Sequence, residues 1–143
     1  MQEQKLNSSP YVMNQEEFTK VVNRTVDTIK NLLIVKGAEY AGTADRLSNF
    51  KRGSKLTGTT PLQTALIYAT KHYDSICTYI RKDASGEIQM LSEPIEGRFD
   101  DLINYCILMK AIIKEERINE EKRLATLPSP PITHGPYENI EVI

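Results

Sequence analysis

The sequence predicts an all-α protein: a bundle of about four helices, three of them long and one short. Apolar residues recur at helical spacing in three long segments, and residues typical of helix starts precede each segment. No segment shows the alternation of a β-strand. The 143 residues, 40% of them hydrophobic, suffice for one core. We expect an irregular N-terminal arm (1–13), a helical domain (14–123) and an extended Pro-rich tail (124–143).

The first helix is predicted over residues 15–36. Asn14 is the expected N-cap, and Glu17, three residues later, completes a start that resembles a capping box. One face of this helix carries an apolar stripe made of Phe18, Val21, Val22, Val26, Ile29, Leu32 and Leu33. Gly37 is expected to end the helix, since glycine interrupts helical patterns.

The second, short helix is predicted over residues 44–56, with Leu47 and Phe50 facing inward. It carries more positive than negative charge. Thr57, Gly58 and Thr59 are expected to close it, because this combination is typical of a turn.

The third helix is predicted to begin at Pro61 and to end near residue 82. Thr60 is its expected N-cap, and Gln63 stands at the third helical position of a capping box. The predicted inward stripe consists of Leu62, Ala65, Leu66, Ala69, Tyr73, Ile76, Tyr79 and Ile80.

The fourth helix is predicted over residues 93–123, with Ser92 as N-cap and Pro94 in the first turn. It carries two apolar stripes. The first contains Phe99, Leu102, Ile103, Cys106, Met109 and Ile113, and the second contains Tyr105, Leu108 and Ile112. A helix that is apolar over most of its circumference is usually buried, so we expect this one to be central to the bundle or to an oligomer.

Composition narrows the function classes. A net charge of −1 disfavours general nucleic-acid binding. No apolar run is long enough to cross a membrane, and the N-terminus lacks a signal-peptide pattern, so a cytoplasmic protein is expected. Cys77 and Cys106 stand alone within apolar helical patterns, which predicts buried free thiols in a reducing compartment.

Three polar segments, residues 36–55, 71–75 and 93–105, lie at helix ends or beside apolar stripes, where a bundle can form a shared pocket. They combine carboxylates, the ligands of Mg²⁺, with cations suited to phosphate and rings suited to a base. Together these residue types indicate a nucleotide site. The sequence contains no P-loop and no motif of the dehydrogenases or serine hydrolases.

Structural interpretations of the same residues stay open. Phe50, Tyr73 and Tyr105 are the kind of ring that more often belongs to a core, and His72 beside an apolar stripe is typical of a core histidine. The carboxylates that begin helix 4 also suit the positive helix N-terminus. Asp101 and Asn104 favour a functional role, because next to an apolar face they need partners if they are buried.

The segments KGAEYAG, DRLSNF, TKHYDSI and EPIEGRFDDLINY resemble those of small phage-encoded helical proteins. These are similar to the all-α NTP pyrophosphatases, the superfamily of MazG and the dimeric dUTPases. The resemblance covers about residues 30–115. It implies a helical homo-oligomer that cleaves a nucleoside triphosphate with Mg²⁺.

The resemblance also implies roles for individual residues. Glu39, Glu96 and Asp101 are the implied metal ligands, and His72 and Asp101 are the implied catalytic residues. The implied nucleotide-binding residues are Lys36, Tyr40, Arg46, Asn49, Phe50, Lys71, Arg98, Asn104 and Tyr105.

Three functions follow from these patterns. The first is a phage nucleotide-handling protein that hydrolyses a nucleoside triphosphate or related nucleotide. The chain lacks an E-x-x-E pair on helix 1, and Glu96 precedes Asp101 by five residues rather than three. The second function is therefore binding without cleavage, as in a sponge that sequesters a host immune signalling nucleotide. The third is a structural or inhibitor protein that docks on a host protein.

Overall fold

The computed structural model describes residues 10–42 and 44–128, and it confirms the predicted all-α bundle of three long helices and one short one. The described helices are α1 (Gln15–Ala41), α2 (Ser48–Thr57), α3 (Pro61–Ala84) and α4 (Ile95–Ala125). Most of the N-terminal arm and of the Pro-rich tail lies outside the described residues. None of the described helices is both long and apolar enough to cross a membrane.

Two predicted helix starts are confirmed. The side chain of Asn14 accepts a hydrogen bond from the backbone N–H of Glu17 at 3.0 Å and so caps α1. Thr60 and Gln63 form a full capping box at α3: each side chain accepts a hydrogen bond from the backbone N–H of the other residue. These contacts satisfy N–H groups that the first helical turn leaves without partners.

The predicted end of α1 at Gly37 is wrong. The helix continues to Ala41, and Gly42, with φ 67°, ends it. Gly37 is helical, and a Cβ atom there would collide with the guanidinium of Arg46. Glycine at this position therefore makes room for Arg46 and does not end the helix.

The short helix α2 begins at Ser48, four residues later than predicted. The carboxylate of Asp45 accepts the backbone N–H of Leu47 at 3.0 Å and contacts Nζ of Lys51 at 3.0 Å, an arrangement that holds the preceding residues in a turn. The predicted end is confirmed, since Gly58 closes α2 in the left-handed conformation.

The predicted cap of α4 is wrong. Pro94 occupies the N-cap position, and no described side chain caps the helix. The chain enters this helix through Pro94 in an extended conformation that the proline ring favours. Ser92 thus lies outside the helix start.

The core forms where α2, α3 and α4 meet. Phe50 is 2% exposed and Ile112 is 1% exposed, and both pack with Leu47 and Ala65. Tyr105 and Leu108 of α4 pack against this cluster, as does Met109. Helix α4 also contacts α1, so it runs between α1 and α3 and is central to the bundle, as expected.

Several residues predicted to face inward are exposed. On α3 these are Leu66, Tyr73 and Ile80. On α4 the first stripe is partly exposed, with Phe99, Ile103 and Cys106 at the surface. On α1 only Ile29 is buried. The helical period locates an apolar face, but the four described helices do not cover every such face.

Candidate functional site

A cavity of about 630 Å³ opens between the four helices. Its wall consists of the C-terminal half of α1, the start of α2, the middle of α3 and the N-terminal half of α4. The three polar segments noted in the sequence all contribute to it. The helix packing therefore brings together residues as far apart in the chain as Leu32 and Leu108.

All four cations predicted to bind the ligand line this cavity: Lys36, Arg46, Lys71 and Arg98. Nζ of Lys36 lies 3.5 Å from Oδ1 of Asp101. The guanidinium of Arg98 forms an ion pair with Glu93, which lines the same cavity. Arg46 and Lys71 form no ion pair with any residue the structure describes. The cavity wall is therefore electropositive on balance.

The position of Arg46 depends on the last turns of α1. Its guanidinium donates to the backbone carbonyl of Leu33, and to that of Gly42 at 3.2 Å. Gly42 is the C-cap of α1, where the helix dipole favours a positive charge, whereas Leu33 lies more than two turns before the end. The absence of a side chain at Gly37 leaves the space that the guanidinium occupies. Arg46 is thus held at the cavity wall by backbone acceptors that do not neutralise its charge.

The cavity has an aromatic side. The predicted rings of Tyr40, Phe50 and Tyr105 all line it, and Tyr68 joins them. The rings of Phe50 and Tyr68 are tilted with centroids 6.0 Å apart, and Tyr105 stands 5.5 Å from the ring of His72. Phe50 also belongs to the core, so both the structural and the ligand-facing interpretations apply to it. Tyr73, in contrast, does not line the cavity and is exposed.

The two predicted catalytic residues lie together. His72 is 4% exposed, and its Nδ1 is 3.3 Å from Oδ2 of Asp101, although the geometry is not that of a hydrogen bond. Burial is the main cause that lowers the pKa of His72 below its ordinary value of 6.5; Asp101 opposes this effect, and the nearby Lys71 adds to it. The imidazole is therefore neutral at pH 7. Burial likewise raises the pKa of Tyr105, which keeps its phenol protonated.

Three polar atoms of the cavity residues are buried and have no hydrogen-bond partner within residues 10–42 and 44–128: Oδ1 of Asn49, Oδ1 of Asn104 and Nδ1 of His72. Each such atom costs roughly 1–3 kcal/mol if it stays unsatisfied. Buried polar side chains without partners are rare in folded proteins and call for a specific explanation. A bound ligand that forms hydrogen bonds with these side chains would supply such an explanation.

The three predicted metal ligands do not come together. Asp101 lines the cavity, whereas Glu39 and Glu96 are exposed and do not. Within residues 10–42 and 44–128, no group of three or more histidine, cysteine, aspartate or glutamate side chains has the arrangement of a metal site. The residues therefore do not fit the Mg²⁺ site that the resemblance implies.

Sequence reasoning missed Tyr68 and misinterpreted Gly37. Tyr68 lies four residues before His72 on α3, so the helical period places both on one face and could have identified Tyr68. Glu93 is one of the carboxylates at the start of helix 4 that the sequence indicated, but its pairing with Arg98 depends on the fold. Gly37 was interpreted as a helix end, and nothing in its neighbourhood in the sequence indicates contact with Arg46.

Comparisons with known proteins add no relative: no family model, curated protein or solved structure matches this chain.

Proposed function

We propose that this protein binds a nucleotide in the cavity between its helices. The observation that carries the proposal is the gathering, in one cavity of about 630 Å³, of four cationic side chains, four aromatic rings and three buried polar atoms without hydrogen-bond partners among the described residues. Ligand pockets typically measure about 300–1,000 Å³ and combine apolar walls with a few convergent polar groups. These side chains offer partners for the phosphate groups, the base and the sugar of a nucleotide.

The roles follow from the chemistry of each group. Arg46 and Arg98 offer planar guanidinium groups that can contact two phosphate oxygens at once, and Lys36 and Lys71 offer point charges. Tyr40, which is largely exposed at the cavity wall, is the best candidate to stack on a base. The amides of Asn49 and Asn104 can bond to the edge of a base or to a sugar hydroxyl.

Binding without cleavage agrees better with the described geometry than hydrolysis does. Of the implied metal ligands only Asp101 lines the cavity, and Lys36 already contacts it. The pyrophosphatase resemblance, the Mg²⁺ dependence, the phage origin and the cytoplasmic location stay predictions. A sponge that sequesters a host signalling nucleotide is one biological role consistent with binding alone.

Thermal melting against a panel of mononucleotides, cyclic nucleotides and triphosphates tests the proposal, with Mg²⁺ in one series and EDTA in the other. A ligand at about 100 times its dissociation constant adds roughly 2.7 kcal/mol to the free energy of unfolding. For a domain of this size that raises Tm by roughly 5–15 °C. The double variant K71Q/R98Q should lose the shift, whereas K30Q, which removes an exposed charge of α1 outside the cavity, should keep it.

No shift with any nucleotide would contradict the proposal and favour docking on a host protein. A shift that requires Mg²⁺ and a triphosphate, with monophosphate as product, would instead favour the pyrophosphatase function.

We also propose that the protein is a homo-oligomer. Phe18, Val21, Val22 and Val26 continue the apolar stripe of α1 beyond Ile29, yet each is between 42% and 53% exposed. Adjoining apolar side chains of this kind commonly mark an interface. Light scattering at micromolar concentration should give a mass above that of one chain, 16.2 kDa, and the pair V22E/V26E should reduce it to one chain. A monomeric wild-type protein would contradict the proposal.

A further inference from the structure

The charges that line the cavity do not cancel. Of the residues that the structure describes, four cations and two carboxylates line it, which leaves an excess of two positive charges. Both carboxylates are already engaged: Asp101 lies 3.5 Å from Nζ of Lys36, and Glu93 pairs with Arg98. The excess therefore resides on the two cations without a described ion pair, Arg46 and Lys71.

Lys71 is exposed and keeps its hydration, whereas Arg46 is only partly exposed. A charged group that loses part of its hydration is costly unless an opposite charge offsets it. Among the described residues, Arg46 has only backbone carbonyls as partners. Such acceptors fix its direction but leave its full charge to be matched by an anion. A ligand with two negative charges would bring the cavity to neutrality without displacing either existing ion pair.

We infer that the ligand is a nucleotide with two negative charges, which binds without Mg²⁺. This inference rests on the proposed function. Two kinds of nucleotide have this chemistry: one with a single phosphomonoester, which is close to a dianion above pH 7, and one with two phosphodiesters.

A triphosphate fits the cavity less well. Without a metal ion it brings more negative charge than Arg46 and Lys71 offset. With Mg²⁺ it would need a carboxylate, since Mg²⁺ in proteins is usually held by one or two carboxylates together with the phosphates. Asp101 and Glu93 are the lining carboxylates, and each would first have to leave its cation.

Isothermal titration of the full chain tests the inference at pH 8, where histidine is neutral at its ordinary pKa. The ligands share one base and comprise a nucleoside monophosphate, a cyclic mononucleotide with one charge, a cyclic dinucleotide with two charges, and a triphosphate with Mg²⁺ or with EDTA. We expect at least one of the doubly charged ligands to bind in EDTA, at least tenfold more tightly than the singly charged one. If the monophosphate binds more tightly than the cyclic dinucleotide, the two charges come from a phosphomonoester. The reverse order means that they come from two phosphodiesters.

Three variants examine the charge balance directly. R46Q and K71Q each remove one unmatched charge, so each should weaken binding of the doubly charged ligand by about 10- to 100-fold, with a smaller loss for the cyclic mononucleotide. E93Q removes a carboxylate and frees Arg98, so it should strengthen binding. K30Q is the matched control and should bind as the wild type does, and circular dichroism should give the same helix content for all four variants.

Tighter binding of the Mg²⁺–triphosphate than of any doubly charged ligand would overturn the inference but leave the proposed function intact. So would equal affinity for singly and doubly charged ligands, or equal losses for both ligand classes in R46Q. Absence of binding by every nucleotide would overturn the proposed function itself.

Discussion

Replacement of Gly37 by alanine should destabilise the protein, although the same change in most helix interiors is stabilising. Alanine is favoured over glycine in a helix by about 1 kcal/mol. Here the new Cβ would occupy the place of the Arg46 guanidinium, and the flexible arginine would have to swing away. It would then lose its hydrogen bonds to the carbonyls of Leu33 and Gly42.

The balance of these two effects gives the expected magnitude. The bond to Leu33 is partly buried and the one to Gly42 is exposed, so together we take them as about 2 kcal/mol, within the range for bonds from charged donors. Subtraction of the gain in helix propensity leaves a net loss of about 1 kcal/mol for G37A. In the R46A background the collision is absent, and G37A should then stabilise by up to about 1 kcal/mol.

Urea unfolding followed by circular dichroism measures both changes in one double-mutant cycle. G37A should lower the midpoint by about 0.5 M in the wild-type background and raise it in the R46A background. The reversal of sign is the test. If G37A stabilises both backgrounds equally, Gly37 and Arg46 are not coupled, and the account of the Arg46 position given above is wrong.

Three further predictions concern stability. Burial lowers the pKa of His72 below 6.5, so the unfolded chain binds a proton at this histidine more readily than the folded chain does. The free energy of unfolding should therefore fall as the pH drops below about 6.5. Urea midpoints measured between pH 7.5 and 5.5 should fall more steeply for the wild type than for H72Q. I112A should lower the free energy of unfolding by about 2–5 kcal/mol because Ile112 is 1% exposed. I34A, at a largely exposed site, should change the urea midpoint little. Equal losses in the two variants would mean that Ile112 is not part of the core. T60A should cost about 1 kcal/mol through loss of the α3 cap, whereas S92A should leave the melting temperature unchanged, and a comparable loss in S92A would mean that Ser92 does cap α4.

The helices and most of their ends were accessible from the sequence because the signals are local. Asn14 and Thr60 satisfy N–H groups within three residues of themselves, so the short pattern contains the whole interaction. The left-handed conformation at Gly58 is likewise local, since glycine alone adopts it without steric cost. The core positions Leu47 and Phe50 followed from the helical period.

Burial of the remaining apolar stripes could not be read from the period. The period says which residues share a face, but not whether another helix covers that face. Leu66 and Tyr73 share a face of α3 that no described helix covers, whereas Ile76 on the neighbouring face is buried. The packing of the described helices determines which of these faces is covered.

The same distinction between local sequence and helix packing applies to the candidate site. Residue types and helix ends in the sequence were sufficient to select nearly all the cations, amides and rings that line the cavity. The sequence could not say which charges neutralise one another, because the pairs Lys36–Asp101 and Glu93–Arg98 depend on how α1 and the start of α4 approach. Nor could it indicate that Glu39 and Glu96 do not line the cavity with Asp101, or that Gly37 makes room for Arg46. Local sequence determined the helices and the chemistry available to them; only the packing of those helices decided which groups meet, because contact between distant residues is a property of the tertiary structure.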